Sequence, residues 1–427
     1  MARIAETEGQ RRTTLFLCAV LHAFTHLYPT VLPPLYYQIA RDLELSGVWL
    51  ATLLVSAQSL AYCLAGWPLG FLADRVSRKW LMFWGLAING AAFVALGLAP
   101  SYTVALLCLV IAGLAGGAYH PPATALLTGL YPERQGRAIG LAGMGAGVGF
   151  FLGPFYGGLR GEVAGWRAPC LELGLAGLAV AILFALLARD APAAKKQAVP
   201  AAGPAFVSYF ILLSVGLGLR DFAGTGFTTF AALFLPQAHG FSQRTTGLYL
   251  GLMSLSAVAA NPFFGAASDG RYRLWWAGGV LLLAGLGGLA LPWLPKPLVL
   301  LGLLWWGFFL LGSYPITEAA MSEVLPDQIR GRAFGVFLTS SGLLSSAAPW
   351  VMGTIKDRAI GASTDPAAFR PAFAGLALLM LLSVLIGMPL LRWVRRELAR
   401  MTARDGCAPD QGCAPLAAAG SKRPPAS

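Results

Sequence analysis

The chain has 427 residues, 57% of them hydrophobic and 12% charged, and a mean hydropathy of +0.66. Ordinary soluble domains carry roughly 25% charged residues, so a water-soluble globular fold is excluded. The formal charge of +12 raises a nucleic-acid partner, but the lysines and arginines fall in short loops between apolar runs, and no nucleic-acid partner is expected.

Apolar runs of about 20 residues recur along the chain, each long enough to cross a hydrocarbon core of roughly 30 Å. They are continuous rather than alternating, so helices are expected and not barrel strands. In chain order they predict helices over 13–38, 47–72, 79–98, 102–129, 137–158 and 167–188. A second set covers 205–235, 246–267, 274–293, 298–323, 333–354 and 371–392. The expected fold class is an all-α polytopic membrane protein of twelve transmembrane helices in two pseudo-symmetric six-helix bundles. The expected divisions are a first bundle over 1–188, a cytoplasmic linker over 189–203, a second bundle over 204–396 and a disordered cytoplasmic tail over 397–427. Arg11 and Arg12 precede the first run without a small-residue cleavage site, so that run reads as a retained membrane helix.

One set of loops holds Arg75, Arg78, Lys79, Arg134, Arg137, Lys195, Lys196, Arg271 and Arg273, while the alternate loops are poorer in basic residues. The positive-inside rule then puts both termini in the cytoplasm. Internal duplication follows from one constant offset: Asp269 repeats Asp74 at a distance of 195 (269 minus 74). The same shift carries Gly70 to Gly265, Arg78 to Arg273, Tyr119 to Tyr314, Arg137 to Arg332, Pro154 to Pro349 and Gly158 to Gly353. The halves are parallel repeats, with a pathway expected along their interface.

The segment Gly70–Lys79, with Asp74, Arg75 and Arg78, its second copy at Asp269, and the matching Arg137 and Arg332 form an expected conformational latch. The glycine in each copy is expected to let a helix end approach a neighbour. In the fifth helix Gly145, Gly149, Gly153 and Gly157 recur every four residues, with Pro154 and Gly158 beside them. That face permits close backbone packing, which either seals the path or serves helix packing alone, and the spacing fits both equally. These segments resemble signatures of the major facilitator superfamily, the glycine-rich one its antiporter type. The segments His22–Pro34, Ala118–Pro121 and Leu219–Arg220 look like the fosmidomycin resistance protein branch, with Asp221 after the arginine as a departure. The resemblance implies the major facilitator fold, a multi-pass inner-membrane setting, and proton-coupled export of a small compound.

Ionisable groups deep in membrane helices point to function. His22 and His26 are four apart and share one helix face, with His26 near mid-depth. Adding 195 to 26 gives 221, so His26 and the Arg220–Asp221 pair occupy matching depths, and a meeting across a central cavity is expected. Arg220 suits an oxyanion, which it can grip through two parallel hydrogen bonds. The expected substrate-binding set is Arg220, His26, His22, His120, Tyr119, Gln58 and Asn261; the expected proton-coupling set is Glu318, Asp221 and His26. Adjacent residues diverge by about 100° on a helix, so Arg220 is expected to pair with Glu318 on another helix rather than with Asp221. Glu172 is expected to face water. Six scattered cysteines and the absence of a metal-ligand spacing predict neither metal nor cofactor, and no HExxH, phosphate-binding glycine loop or GxSxG turn supports an enzyme. The expected partners are a small-molecule substrate, protons and the lipid bilayer, and a monomer suffices because one chain carries both halves.

Overall fold

The computed structural model describes residues 2–73, 75–190, 204–270, 272–324 and 327–404. The first half comprises α1 (Ala2–Thr30), α2 (Tyr36–Asp42), α3 (Val48–Ala73), α4 (Arg78–Gly97), α5 (Tyr102–Gly116), α6 (His120–Leu130), α7 (Gln135–Ala164) and α8 (Arg167–Leu187). The second comprises α9 (Pro204–His239), α10 (Gln243–Leu255), α11 (Ala257–Ala267), α12 (Arg273–Ala290), α13 (Val299–Val324), α14 (Asp327–Ser346), α15 (Ala348–Ile355) and α16 (Arg370–Arg404). The pairs α5–α6, α10–α11 and α14–α15 are broken crossings and α2 extends α1, giving twelve passes among the described residues. Ten have the length and apolarity of a membrane span; α9 and α14–α15 complete the set. An even number of passes brings the chain back to its starting face, called here the terminal face.

The break in the fourth crossing was expected to be continuous helix and has a local cause. Pro121 and Pro122 lack an N–H, so the carbonyls of Gly117 and Ala118 lose their donors four residues on. The chain turns there and restarts as α6 at His120. Two ends also differ from expectation: α1 begins at Ala2 rather than near 13, and α16 runs to Arg404, beyond the expected bundle limit at 396. Asp74, the side chain of Arg332, and residues 191–203 and 405–427 lie outside the described residues.

The glycine stripe of α7 packs inside the first half. A Cβ added at Gly145, Gly149, Gly153 or Gly157 would strike, in turn, the Ala19 carbonyl, the Ala23 carbonyl, the Thr30 side chain and the Val31 carbonyl. α7 therefore lies backbone to backbone along α1, with no room for any side chain on that face. Gly158 is different, because it reaches the other half. A Cβ at Gly247 of α10 would lie 3.0 Å from its Cα. Subtracting 195 from 247 gives Thr52, and adding 195 to 158 gives Gly353; a Cβ at Gly353 would strike the Thr52 side chain and lie 2.9 Å from the Trp49 Cα. The same contact between halves is thus made twice.

The repeat also duplicates a cap. The Glu162 carboxylate accepts the Arg244 N–H at 2.8 Å at the start of α10, and the Asp357 carboxylate accepts the Trp49 N–H at 2.8 Å at the start of α3. Both 357 minus 162 and 244 minus 49 equal 195. The first N–H groups of a helix have no internal partner and carry partial positive charge, so a carboxylate is a favourable occupant. Each half therefore caps a helix of the other, on the face away from the termini. Nearby, the Tyr37 hydroxyl donates to the Leu233 carbonyl at 3.1 Å and to Gln237 at 2.6 Å, and the Gln237 amide donates to Gly361 and Ser363. At the terminal face Arg78 donates to the Ala125 carbonyl at 3.2 Å and Arg273 to Asp269 at 2.8 Å, two bonds that each lie within one half. Arg75 and Arg137 are exposed. The expected close approach at the latch glycines is not seen: a Cβ on Gly265 would meet nothing, and one on Gly70 only ordinary contact with Pro121. Among the described residues, the duplicated contacts and caps that join the halves lie at the distal face.

Overpacking a tight site costs about 1–3 kcal/mol. Gly149→Ala should lower the thermal unfolding midpoint in detergent, whereas Gly147→Ala, with nothing within 4 Å, should leave it unchanged; equal midpoints would contradict the backbone contact.

Candidate functional site

Arg220 lies 16 residues into α9, about 24 Å along a helix rising 1.5 Å per residue, and its side chain is 1% exposed. A guanidinium cannot neutralise itself by losing a proton, so it must be held by partners. Its Nε donates to Asp221 at 2.9 Å and its Nη1 to the Thr317 hydroxyl at 2.7 Å. Its Cζ stands 4.1 Å from the centre of the Tyr314 ring, a cation over the negative face of an aromatic. The expectation that Arg220 would avoid Asp221 is corrected here: the long arginine side chain curls back far enough to offset the divergence of neighbouring Cβ atoms. Its cross-helix partners are Thr317 and Tyr314 instead of a direct bond to Glu318. Glu318 is one turn from Tyr314 on the same face of α13, exposed and within electrostatic reach of Arg220 and Asp221. It borders the arginine on the side toward the terminal face.

The first half carries the counterpart. His22 Nδ1 bonds the Ala142 carbonyl of α7 at 3.0 Å, and His22 Nε2 lies 3.2 Å from His26 Nε2. A carbonyl only accepts, so His22 Nδ1 carries the hydrogen, its Nε2 accepts, and His26 Nε2–H donates. His120, delivered by the restart of α6, stands edge-on to His22 with ring centres 5.0 Å apart. Tyr119 stacks on His22 at 4.7 Å and donates its hydroxyl to the Cys18 carbonyl at 2.8 Å, while Phe150 covers His26 at 4.4 Å. Tyr119 and Tyr314 are 195 apart and each supports the ionisable group of its own half. The hydrogen bonds of the histidines stay within α1 and α7, and those of Arg220 within α9 and α13. The described hydrogen bonds therefore form two clusters at matching positions of the two halves, one around His26 and one around Arg220 and Asp221.

The remaining expected residues lie elsewhere. Gln58 is buried in α3 with its Oε1 unpartnered, behind the helix face where Gly113 of α5 approaches its carbonyl. Asn261 is exposed on α11 and joins neither cluster. Glu172, expected to face water, is part-exposed and also pairs with Arg160 and Tyr156. Sequence reasoning missed Thr317 as an arginine partner and Phe150 as a histidine cover; spacing from Tyr314 by three would have marked the former.

The sequence model of the Major Facilitator Superfamily matches residues 15–349 and 213–406. The chain belongs to that superfamily, a family of transporters. It is 30% identical over 190 residues to an uncharacterised MFS-type transporter, YceJ, of Bacillus subtilis, covering 44% of this chain and 46% of that protein. It is 31% identical over 152 residues to the quinolone resistance protein NorA of Staphylococcus aureus, covering 35% and 38%. These matches span less than half the length of either relative. Among solved structures, a bacterial homologue of the human lysosomal transporter Spinster, inward-facing and occupied, is similar over 93% of this chain and 99% of that one, with a TM-score of 0.73 and 21% identity. The human organic anion transporter MFSD10 is similar over 88% and 99%, with a TM-score of 0.62 and 17% identity.

Removing one member of a buried ion pair costs about 3–5 kcal/mol because the other charge stays unpaired. Arg220→Ala should therefore depress the unfolding midpoint more than the Arg220→Ala/Asp221→Ala double variant does. Additive losses would show that the two side chains do not support each other.

Proposed function

We propose that this protein is a secondary active transporter that exports a small anionic or amphipathic organic compound in exchange for protons, by rocking its two halves around a central site. The observation that carries the reading is Arg220, buried and positioned from three sides, with the Glu318 carboxylate exposed beside it. A permanent cation held ready inside the membrane recruits an oxyanion, and the adjacent Glu318 carboxylate offers a proton a place beside it. In exchange the two occupy the site in turn: the compound binds at Arg220 while Glu318 is ionised and accepts its donor groups, and once the compound has left Glu318 takes the proton that returns in the opposite direction. Asp221 fixes the guanidinium throughout. His22, His26, His120 and Tyr119 form the facing wall. The segments resembling the fosmidomycin resistance branch are those that build the two clusters, and the quinolone resistance relative supports export.

The basic loops put the termini in the cytoplasm of a cell whose inner membrane holds the protein as a monomer. The distal face is then the outer one, and contacts between halves on that side support reading the conformation as inward-facing. In the outward-facing conformation the paired caps at Glu162 and Asp357 part. The free space at Gly70 and Gly265 is then taken up as the latch residues Asp74, Arg75, Arg78, Asp269, Arg137 and Arg332 come together at the cytoplasmic face.

Two measurements test this. In proteoliposomes carrying a pH gradient, an organic anion should move against counter-flowing protons, and Glu318→Gln should uncouple the two while leaving binding of the anion within about threefold. Protons moving with the anion would make the protein an uptake symporter, and binding without flux would make it a sensor. Separately, spin labels at the exposed Glu44 and Thr364 of the distal face should report a longer distance population in the Glu162→Gln/Asp357→Asn variant. An unchanged distribution would remove the caps from the gating mechanism.

A further inference from the structure

We infer that His22, His26 and His120 form a binding site for one divalent transition-metal ion of the zinc, cobalt or nickel type within the first half. Each of the three imidazoles offers one ring nitrogen, and these atoms lie within 4.8 Å of one another. The grouping is the one His/Cys/Asp/Glu cluster of this kind found among the described residues.

The geometry is close to what the ion needs. Zinc sits about 2.0–2.1 Å from imidazole nitrogen in a tetrahedral site, which requires ligand nitrogens roughly 3.3 Å apart. His22 Nε2 and His26 Nε2 are 3.2 Å apart. The four-residue spacing on α1 that puts both rings on one face is the spacing by which a helix offers two histidines to one metal. The outer nitrogen of His22 is already engaged: its Nδ1–H donates to the Ala142 carbonyl. A ligating histidine commonly makes this second contact, which fixes the tautomer and aims Nε2 inward. His120 closes the third side from the start of α6, where the proline-induced break gives its ring a direction that a continuous helix would not. A rotation of His120 about its side-chain bonds completes a three-nitrogen face.

Proton accounting is simple. Metal entry breaks the His26 Nε2–H to His22 Nε2 hydrogen bond; the His26 hydrogen moves to its Nδ1, and both Nε2 lone pairs point at the ion. No net proton is lost and nothing is oxidised or reduced. Three neutral imidazoles leave the ion its full double charge, and the ionisable groups described around His26 are the other two histidines. The fourth position therefore favours an anion: hydroxide, or the carboxylate or phosphonate of a bound compound. Imidazole donors select borderline transition metals over magnesium or calcium, which prefer oxygen. The site stands on the histidine geometry alone and does not rest on the direction of transport or on Glu318.

The test uses the full-length protein in detergent with its purification tag removed, titrated with Co2+ and then with Zn2+. One equivalent of Co2+ should produce the intense visible bands of a four-coordinate centre, and Zn2+ should displace them. His22→Ala, His26→Ala and His120→Ala should each weaken binding by more than about a hundredfold, since even outer partners of a ligand cost 10–100-fold. Each variant is checked for an unchanged elution profile, and His120→Cys, which retains a ligand, should recover a cobalt spectrum with a sulfur-to-metal band. Bands typical of six-coordinate Co2+ only, or binding that survives all three alanine variants, would overturn the proposal. Loss of binding in a Cys407→Ser/Cys413→Ser variant would overturn it too.

Discussion

Hydrocarbon offers no water to an unpaired polar group, and the architecture follows from the obligation to find a partner for each one within the protein. At the backbone the obligation produces helices. At Arg220 it produces a guanidinium enclosed by Asp221, Thr317 and the face of Tyr314. At His22 it produces a bond to the Ala142 carbonyl of a neighbouring helix. A side chain held in this way loses little freedom when a ligand arrives, so binding is not charged with ordering it. The groups that chemistry would use are thus also the groups the membrane forces into position.

Close backbone approach meets the same obligation between helices. Dispersion and packing, rather than release of water, hold helices together in lipid, and the α7 stripe brings two backbones together by giving up side chains at Gly145, Gly149, Gly153 and Gly157. Within the first half this makes α1 and α7 a single rigid unit. Between halves the approach includes the duplicated Gly158–Gly247 and Thr52–Gly353 contacts with their carboxylate caps, and continues through Gly251 against Phe151, Gly342 against Cys63 and the Trp350 N–H donating to Ser56 at 3.0 Å. The repeat thus sets the same close contact and the same cap on both sides of the junction between halves.

Duplication supplied the frame and divergence the chemistry. Positions 195 apart share the seam, the caps and the supporting tyrosines. They no longer share the ionisable groups, since His26 matches Asp221 while His120 matches Pro315. One half presents a fixed cation with acids, the other a cluster of neutral imidazoles.

The sequence by itself determined the number of crossings, their order and the repeat, because apolar length, charged loops and a constant offset are one-dimensional properties. It also named Arg220, Glu318 and the histidines, because a charge inside an apolar run is visible without coordinates. Whether Arg220 turns to Asp221 or away from it depends on a rotamer chosen against Thr317 and Tyr314, which lie 97 and 94 residues further on. Whether three histidines converge depends on the break before His120 and on the roll of α6 against α1. Whether the glycine stripe seals a path or packs two helices of one half depends on which neighbour it meets. These were decided by tertiary structure alone, because direction around a helix axis is set by neighbours that the local sequence does not encode.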